Sequence, residues 1–110
     1  MKQYVIDELR IEDFEKLRAH LDETLGFSGS DGLYWVPIDD SMLTEIQAGH
    51  AECKPLYFAI ELEESKMACE LLVRTRNKIR CECIAYADQR QRNWFIKTVD
   101  SIFEKLEIII

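Results

Sequence analysis

The stretch LYFAIELEESKMACELLVRTRNKIRCECIAYA, residues 56–87, decides the fold of this chain. Apolar and polar residues alternate along three successive runs within it. Side chains on a strand point alternately to opposite faces, so this alternation predicts strands with one buried face. The short polar breaks between the runs are typical of hairpin turns. The stretch therefore predicts a three-strand antiparallel meander.

The apolar pattern also predicts how these three strands pair. A two-residue turn would place Leu62 opposite Met67, and a three-residue loop would place Val73 opposite Cys81. Both pairings keep the apolar side chains on the same face, as a buried face requires.

Helical periodicity flanks the meander on both sides. Residues 11–25 and 89–106 repeat apolar side chains at spacings of three and four, which predicts two amphipathic helices. The segment 33–38 has the composition of a strand, and its proline places it at a sheet edge or a strand end. We expect residues 1–110 to form one α+β domain, a two-layer sandwich whose antiparallel sheet is covered on one face by the two helices.

Composition narrows the range of functions. The chain has 110 residues, a net charge of −7, 47% hydrophobic residues and 32% charged residues, as in a folded globular domain. We recognise no export signal and no apolar run near the ~20 residues of a membrane helix, and therefore expect a cytoplasmic protein with reduced thiols. The negative charge also argues against nucleic-acid or membrane partners.

One histidine and three cysteines form a possible zinc ligand set: His50, Cys53, Cys81 and Cys83. Imidazole and thiolate are ligands that suit a tetrahedral zinc ion. The predicted strand opposes this interpretation, because the side chains of Cys81 and Cys83 would lie roughly 7 Å apart along it. We therefore expect cysteines that pack the core and no cofactor, with a zinc site as the alternative.

The second face of the predicted sheet is half apolar and suggests a partner. The residues proposed to contact it are Tyr57, Leu72, Ile84, Tyr86, Arg74 and Arg80. Apolar side chains among charges of both signs favour a homodimer, or contact with another protein.

No complete catalytic constellation occurs in the sequence. A non-enzymatic binding or assembly module is therefore the first hypothesis for function. A zinc-binding domain that uses the His/Cys cluster is one alternative, and a small enzyme with a site in loops 26–32 and 39–55 is another.

Overall fold

The computed structural model describes residues 1–26, 32–77 and 80–109. Within these ranges the helices are α1 (Ile11–Leu25), α2 (Glu45–Ala48) and α3 (Gln89–Lys105), with 3-10 turns at Asp40–Met42 and Ala51–Cys53. The strands are β1 (Gln3–Ile6), β2 (Leu33–Pro37), β3 (Leu56–Leu62), β4 (Met67–Glu70), β5 (Leu72–Thr75) and β6 (Ala85–Tyr86). The predicted α+β class is confirmed, and α1 and α3 closely match the two expected helices.

The sheet is antiparallel and has β3 near its centre. Strand β2 pairs with one edge of β3, and β4 and β5 pair with successive parts of the other edge. The outer edges of β4 and β5 pair with β1 and β6 respectively. The predicted pairing of Leu62 with Met67 is confirmed.

The path from β4 to β5 contains two extra residues. Ile60 pairs with Cys69 and Tyr57 pairs with Arg74, so two residues of β3 face the four residues 70–73. Because the insertion is even, it preserves the alternation of faces across the break. Leu71 remains buried in the core beside this break.

The last strand of the predicted meander is wrong in length and in register. Val73 pairs with Ala85 and not with Cys81, and β6 consists of two residues only. Residues 81–84 form a turn, in which the Ile84 N–H donates to the Cys81 carbonyl at 3.0 Å. Residues 78–79, at the start of the expected strand, lie outside the described residues.

Both long helices cover the same face of the sheet. Phe58 on β3 stacks on Phe95 of α3 with ring centroids 4.1 Å apart. The Tyr34 hydroxyl on β2 donates to Asp22 of α1. Tyr34 pairs with Ile60, which is two positions from Phe58 on β3, so Tyr34 and Phe58 lie on the same face of the sheet. The core of the two-layer sandwich therefore lies between this face and the two helices, as expected.

Candidate metal centre

The first ligand pair lies in the turn that leads into β3. Thr44 and Gln47 form a capping box that starts α2, and the helix ends before Gly49. The chain then folds into a 3-10 turn, where the Cys53 N–H donates to the His50 carbonyl at 3.0 Å. This turn brings the side chains of His50 and Cys53 to the same side of the backbone.

The second ligand pair lies in the turn that replaces the expected strand. The Ile84 N–H closes this turn on the Cys81 carbonyl, and Cys83 lies within it. The turn brings the two sulfurs within 4.8 Å of each other, whereas a strand would separate them further. The objection that the sequence raised against a metal site does not apply to this geometry.

The two turns meet, and four potential ligand atoms converge. The His50 nitrogen and the Cys53, Cys81 and Cys83 sulfurs all lie within 4.8 Å of one another. His50 Nδ1 is 2.9 Å from Cys81 Sγ, and Cys53 Sγ is 3.4 Å from Cys81 Sγ. With Zn–S bonds of about 2.3 Å, a tetrahedral ion needs sulfurs about 3.8 Å apart. The distances in the cluster lie on both sides of this value, so small shifts of the side chains would let the four residues hold one ion.

The pKa values of Cys81 and Cys83 are shifted in opposite directions. Hydrogen bonds from the backbone N–H and then the thiol of Cys83, with smaller contributions from Cys53 and His50, lower the pKa of Cys81 to about 6. Burial, followed by hydrogen bonds with Cys81 and Cys53, raises the pKa of Cys83 to about 12. Donors therefore concentrate negative charge on the Cys81 sulfur, where a cation would be attracted.

The cluster has an inner side and an outer side. Cys53 and Cys83 are 0% exposed, while His50 and Cys81 are half-buried. An ion could therefore approach from the side of His50 and Cys81.

Neighbouring side chains hold the backbone of the first turn. The Thr75 hydroxyl donates to the Cys53 carbonyl at 2.6 Å. The Asn77 amide donates to the carbonyls of Glu52 and Lys54, at 3.2 and 3.0 Å. The end of β5 thus fixes the turn that carries His50 and Cys53.

The second turn has an equivalent anchor. The Gln47 amide donates to the Cys83 carbonyl at 3.0 Å, in a fully buried setting. The roles of Gln47, Thr75 and Asn77 were not predicted from the sequence, because each acts through a contact with a distant part of the chain.

The fourth cysteine is separate from this cluster. Cys69 pairs with Tyr4 and Ile60 in the sheet and is fully buried. Burial, and secondarily the charge of Asp100, raises the pKa of its thiol to about 12. Cys69 is therefore a core residue and a natural control for the other three.

The predicted partner surface divides into two groups. The outer face of the sheet, opposite the helices, carries four of the six residues: Tyr57, Leu72, Arg74 and Tyr86. Arg74 forms an ion pair with Glu70 there, at 3.0 Å. Ile84 instead packs against the core, and Arg80 is exposed outside the strands.

The structure describes the two loops proposed for an enzyme site to different extents. Residues 27–31 of the first loop lie outside the described residues. The segment 39–55 supplies His50 and Cys53 to the cluster, and Asp39 serves as a cap by accepting a hydrogen bond from the Ser41 N–H.

Comparison with protein-family models, curated proteins and solved structures finds no match to this chain. Among the residues that the structure describes, no helix combines the length and apolar composition needed to cross a bilayer.

Proposed function

We propose that this chain is a small zinc-binding module whose metal joins two turns that are distant in sequence. The ligands are His50, Cys53, Cys81 and Cys83. The observation that carries the proposal is the convergence of their four donor atoms within 4.8 Å, from two separate turns.

The donor set favours zinc over other common ions. Three thiolates and one imidazole are soft or borderline ligands, which disfavour calcium and magnesium. Four protein ligands around one centre leave no open position for water or substrate, so the ion's role is structural and not catalytic. This agrees with a non-enzymatic binding or assembly module.

The position of the cluster indicates what a bound ion would do, which is to join two turns that are distant in sequence. Cys53 and Cys81 are 28 positions apart in the chain. The first turn leads into β3 at the centre of the sheet, and the second precedes β6 and α3. An ion bound by both turns would fix the end of the sheet to the start of the last helix.

Metal analysis of protein purified without added metal tests the proposal. We expect one zinc per chain and three thiols protected from alkylation, with the fourth protected by burial until the protein unfolds. Cobalt substitution should give the charge-transfer absorption of thiolate ligands. Protein that neither retains zinc nor binds cobalt at micromolar concentration would contradict the proposal.

Homodimer formation through the outer face is a second candidate function. Val5 and Tyr86 remain 44% and 43% exposed. They lie on the same sheet face as half-buried Leu72, since Val5 pairs with Ala68 and Tyr86 with Leu72. When a second copy covers the apolar side chains on this face, their removal from water lowers the free energy and favours the dimer.

A further inference from the structure

Two glutamines occupy the same position in two different helices. Gln47 is the third residue of α2 and Gln91 is the third residue of α3. Each completes a capping box, in which its side-chain oxygen accepts from the N-cap N–H of Thr44 or Asp88. This arrangement would ordinarily be sufficient to explain both residues.

The amide nitrogens of the same two side chains reach beyond their helices. Gln91 Nε2 donates to Gln47 Oε1 at 2.8 Å and to the Met42 carbonyl at 3.0 Å. Gln47 Nε2 donates to the Cys83 carbonyl at 3.0 Å. These bonds form a continuous relay from the start of α3 to the second ligand turn.

Capping alone does not require glutamine at these positions. Glutamate serves equally well as the third residue of a capping box, but an ionised carboxylate has no hydrogen to donate. Gln47 and Gln91 are only 3% and 1% exposed. At these buried positions the glutamine amides donate to the carbonyls of Cys83 and Met42. A glutamate carboxylate could not make these two hydrogen bonds, and the carbonyls would lose a partner.

The relay controls the orientation of one ligand. The carbonyl of Cys83 accepts from Gln47, and the turn that contains Cys83 is closed by the bond from the Ile84 N–H to the Cys81 carbonyl. Because these two bonds restrain the backbone on either side of the Cys83 Cα, they also restrain the direction of its Cα–Cβ bond and therefore the position of its sulfur. Residues beyond the ligands commonly orient metal sites in this way.

We propose that Gln47 is a positioning residue for the metal centre, which holds Cys83 in ligand geometry and is itself oriented by Gln91. This inference rests on the proposed zinc site. Because Cys83, Gln47 and Gln91 are linked by these hydrogen bonds, metal binding at the cluster is coupled to the hydrogen bonding of Gln91 at the N-terminal end of α3.

The test compares two variants that weaken the same capping box. Gln47→Met removes the cap acceptor and the donor to Cys83, while Thr44→Ala removes the hydroxyl that caps the Gln47 N–H and leaves Cys83 untouched. We expect Gln47→Met to weaken zinc affinity by about 10- to 100-fold, measured by competition with a chromophoric chelator. Thr44→Ala should bind zinc as the wild type does.

Cobalt spectra separate positioning from simple loss of stability. In Gln47→Met the ligand-field bands should shift or weaken at full cobalt occupancy, because Cys83 is no longer held. Gln91→Met should change these bands in the same direction and by less. Thr44→Ala should reproduce the wild-type spectrum, since its effect is confined to the start of α2.

A measurement on the wild-type protein needs no variant to fold. Zinc polarises the peptide of its cysteine ligand, so the side-chain amide signals of Gln47 and Gln91 should shift in NMR spectra on metal binding. If zinc binds and neither amide signal moves, the inference is wrong, even if Gln47→Met fails to fold.

The remaining outcomes distinguish the two proposals. If the wild type binds neither zinc nor cobalt, the zinc function is wrong and the inference fails with it. If the wild type binds both metals and Gln47→Met matches Thr44→Ala in affinity and spectrum, the zinc function stands and the positioning role is wrong.

Discussion

Two buried cysteines allow a matched test of the metal proposal by thermal unfolding. Cys53 and Cys69 are both 0% exposed, yet Cys53 belongs to the cluster and Cys69 does not. Changing either one to alanine removes one buried sulfur, which should cost about 1 kcal/mol in both cases. Zinc should then distinguish the two variants, because only Cys53→Ala removes a ligand.

The size of the zinc effect follows from the spacing of the turns. Cys53 and Cys81 are 28 positions apart, and closing a loop of that length restricts the unfolded chain by about 3.6 kcal/mol in the chain-entropy treatment of cross-links. Mass action gives a similar value, about 2.7 kcal/mol when free zinc is 100 times its dissociation constant. For a chain of this size, 1 kcal/mol changes Tm by about 4 °C. Zinc should therefore raise Tm by roughly 11–14 °C.

The assay is circular dichroism melting without zinc, with free zinc at about 100 times its dissociation constant, and again after chelation. Wild type and Cys69→Ala should both show the full zinc-dependent rise, and Cys53→Ala should lose most of it. An equal rise in both variants would refute the reasoning, since it would place the stabilising ion outside the cluster.

Three further predictions concern the rest of the fold. The Tyr4 hydroxyl donates to Asp100 at 2.7 Å, a bond that is the main cause raising the pKa of Tyr4 to about 12. Because the fold favours the protonated phenol, its contribution is complete below about pH 10 and is lost towards pH 12, so the stability advantage of wild type over Tyr4→Phe should shrink across that interval in urea unfolding. Leu71→Ala should cost about 2–5 kcal/mol in the same assay, and a loss near zero would mean that the core at the β4–β5 break is not packed. Leu72→Glu should convert a dimer to a monomer in sedimentation at micromolar concentration, and a wild-type monomer would rule out the dimer.

Local signals were sufficient to predict the first hairpin and both long helices. The turn between β3 and β4 lies within one short polar break, where the Glu63 N–H donates to the Lys66 carbonyl. Its pairing of Leu62 with Met67 depends on neighbouring residues only. The start of α3 at Asp88 likewise follows from a cap and a glutamine three residues later.

The last strand could not be predicted from alternation alone. Residues 81–84 alternate as a strand does, yet they turn, and the chain pairs with β5 only at Ala85 and Tyr86. The contacts that favour the turn come from His50, Cys53 and Gln47, which are 28 to 36 positions away. Periodicity within a short window contains no information about such partners.

The proposed metal ligands were identified from their residue types, but their geometry was judged from the wrong local structure. The estimate that Cys81 and Cys83 lie too far apart holds for a strand, and the chain does not form one there. The anchoring residues were beyond prediction for a different reason. Gln47 and Gln91 are 44 positions apart, and their roles depend on an amide contact that only the folded chain creates.

The conflict between local pattern and observed turn is itself an argument for function. A longer β6 would have added ladder hydrogen bonds, and the sequence around Cys81 and Cys83 has the alternation to form them. The chain instead adopts a turn, stabilised by a buried amide and by a short approach of sulfur to nitrogen. Natural sequences depart from local preference mainly where a site requires it. A core of inert cysteines would be compatible with the strand, whereas a ligand turn requires that the strand end at β6. The departure therefore favours the metal centre over simple packing, and it predicts that Cys81→Val/Cys83→Val, which restores strand-forming residues and removes two ligands, should abolish zinc binding.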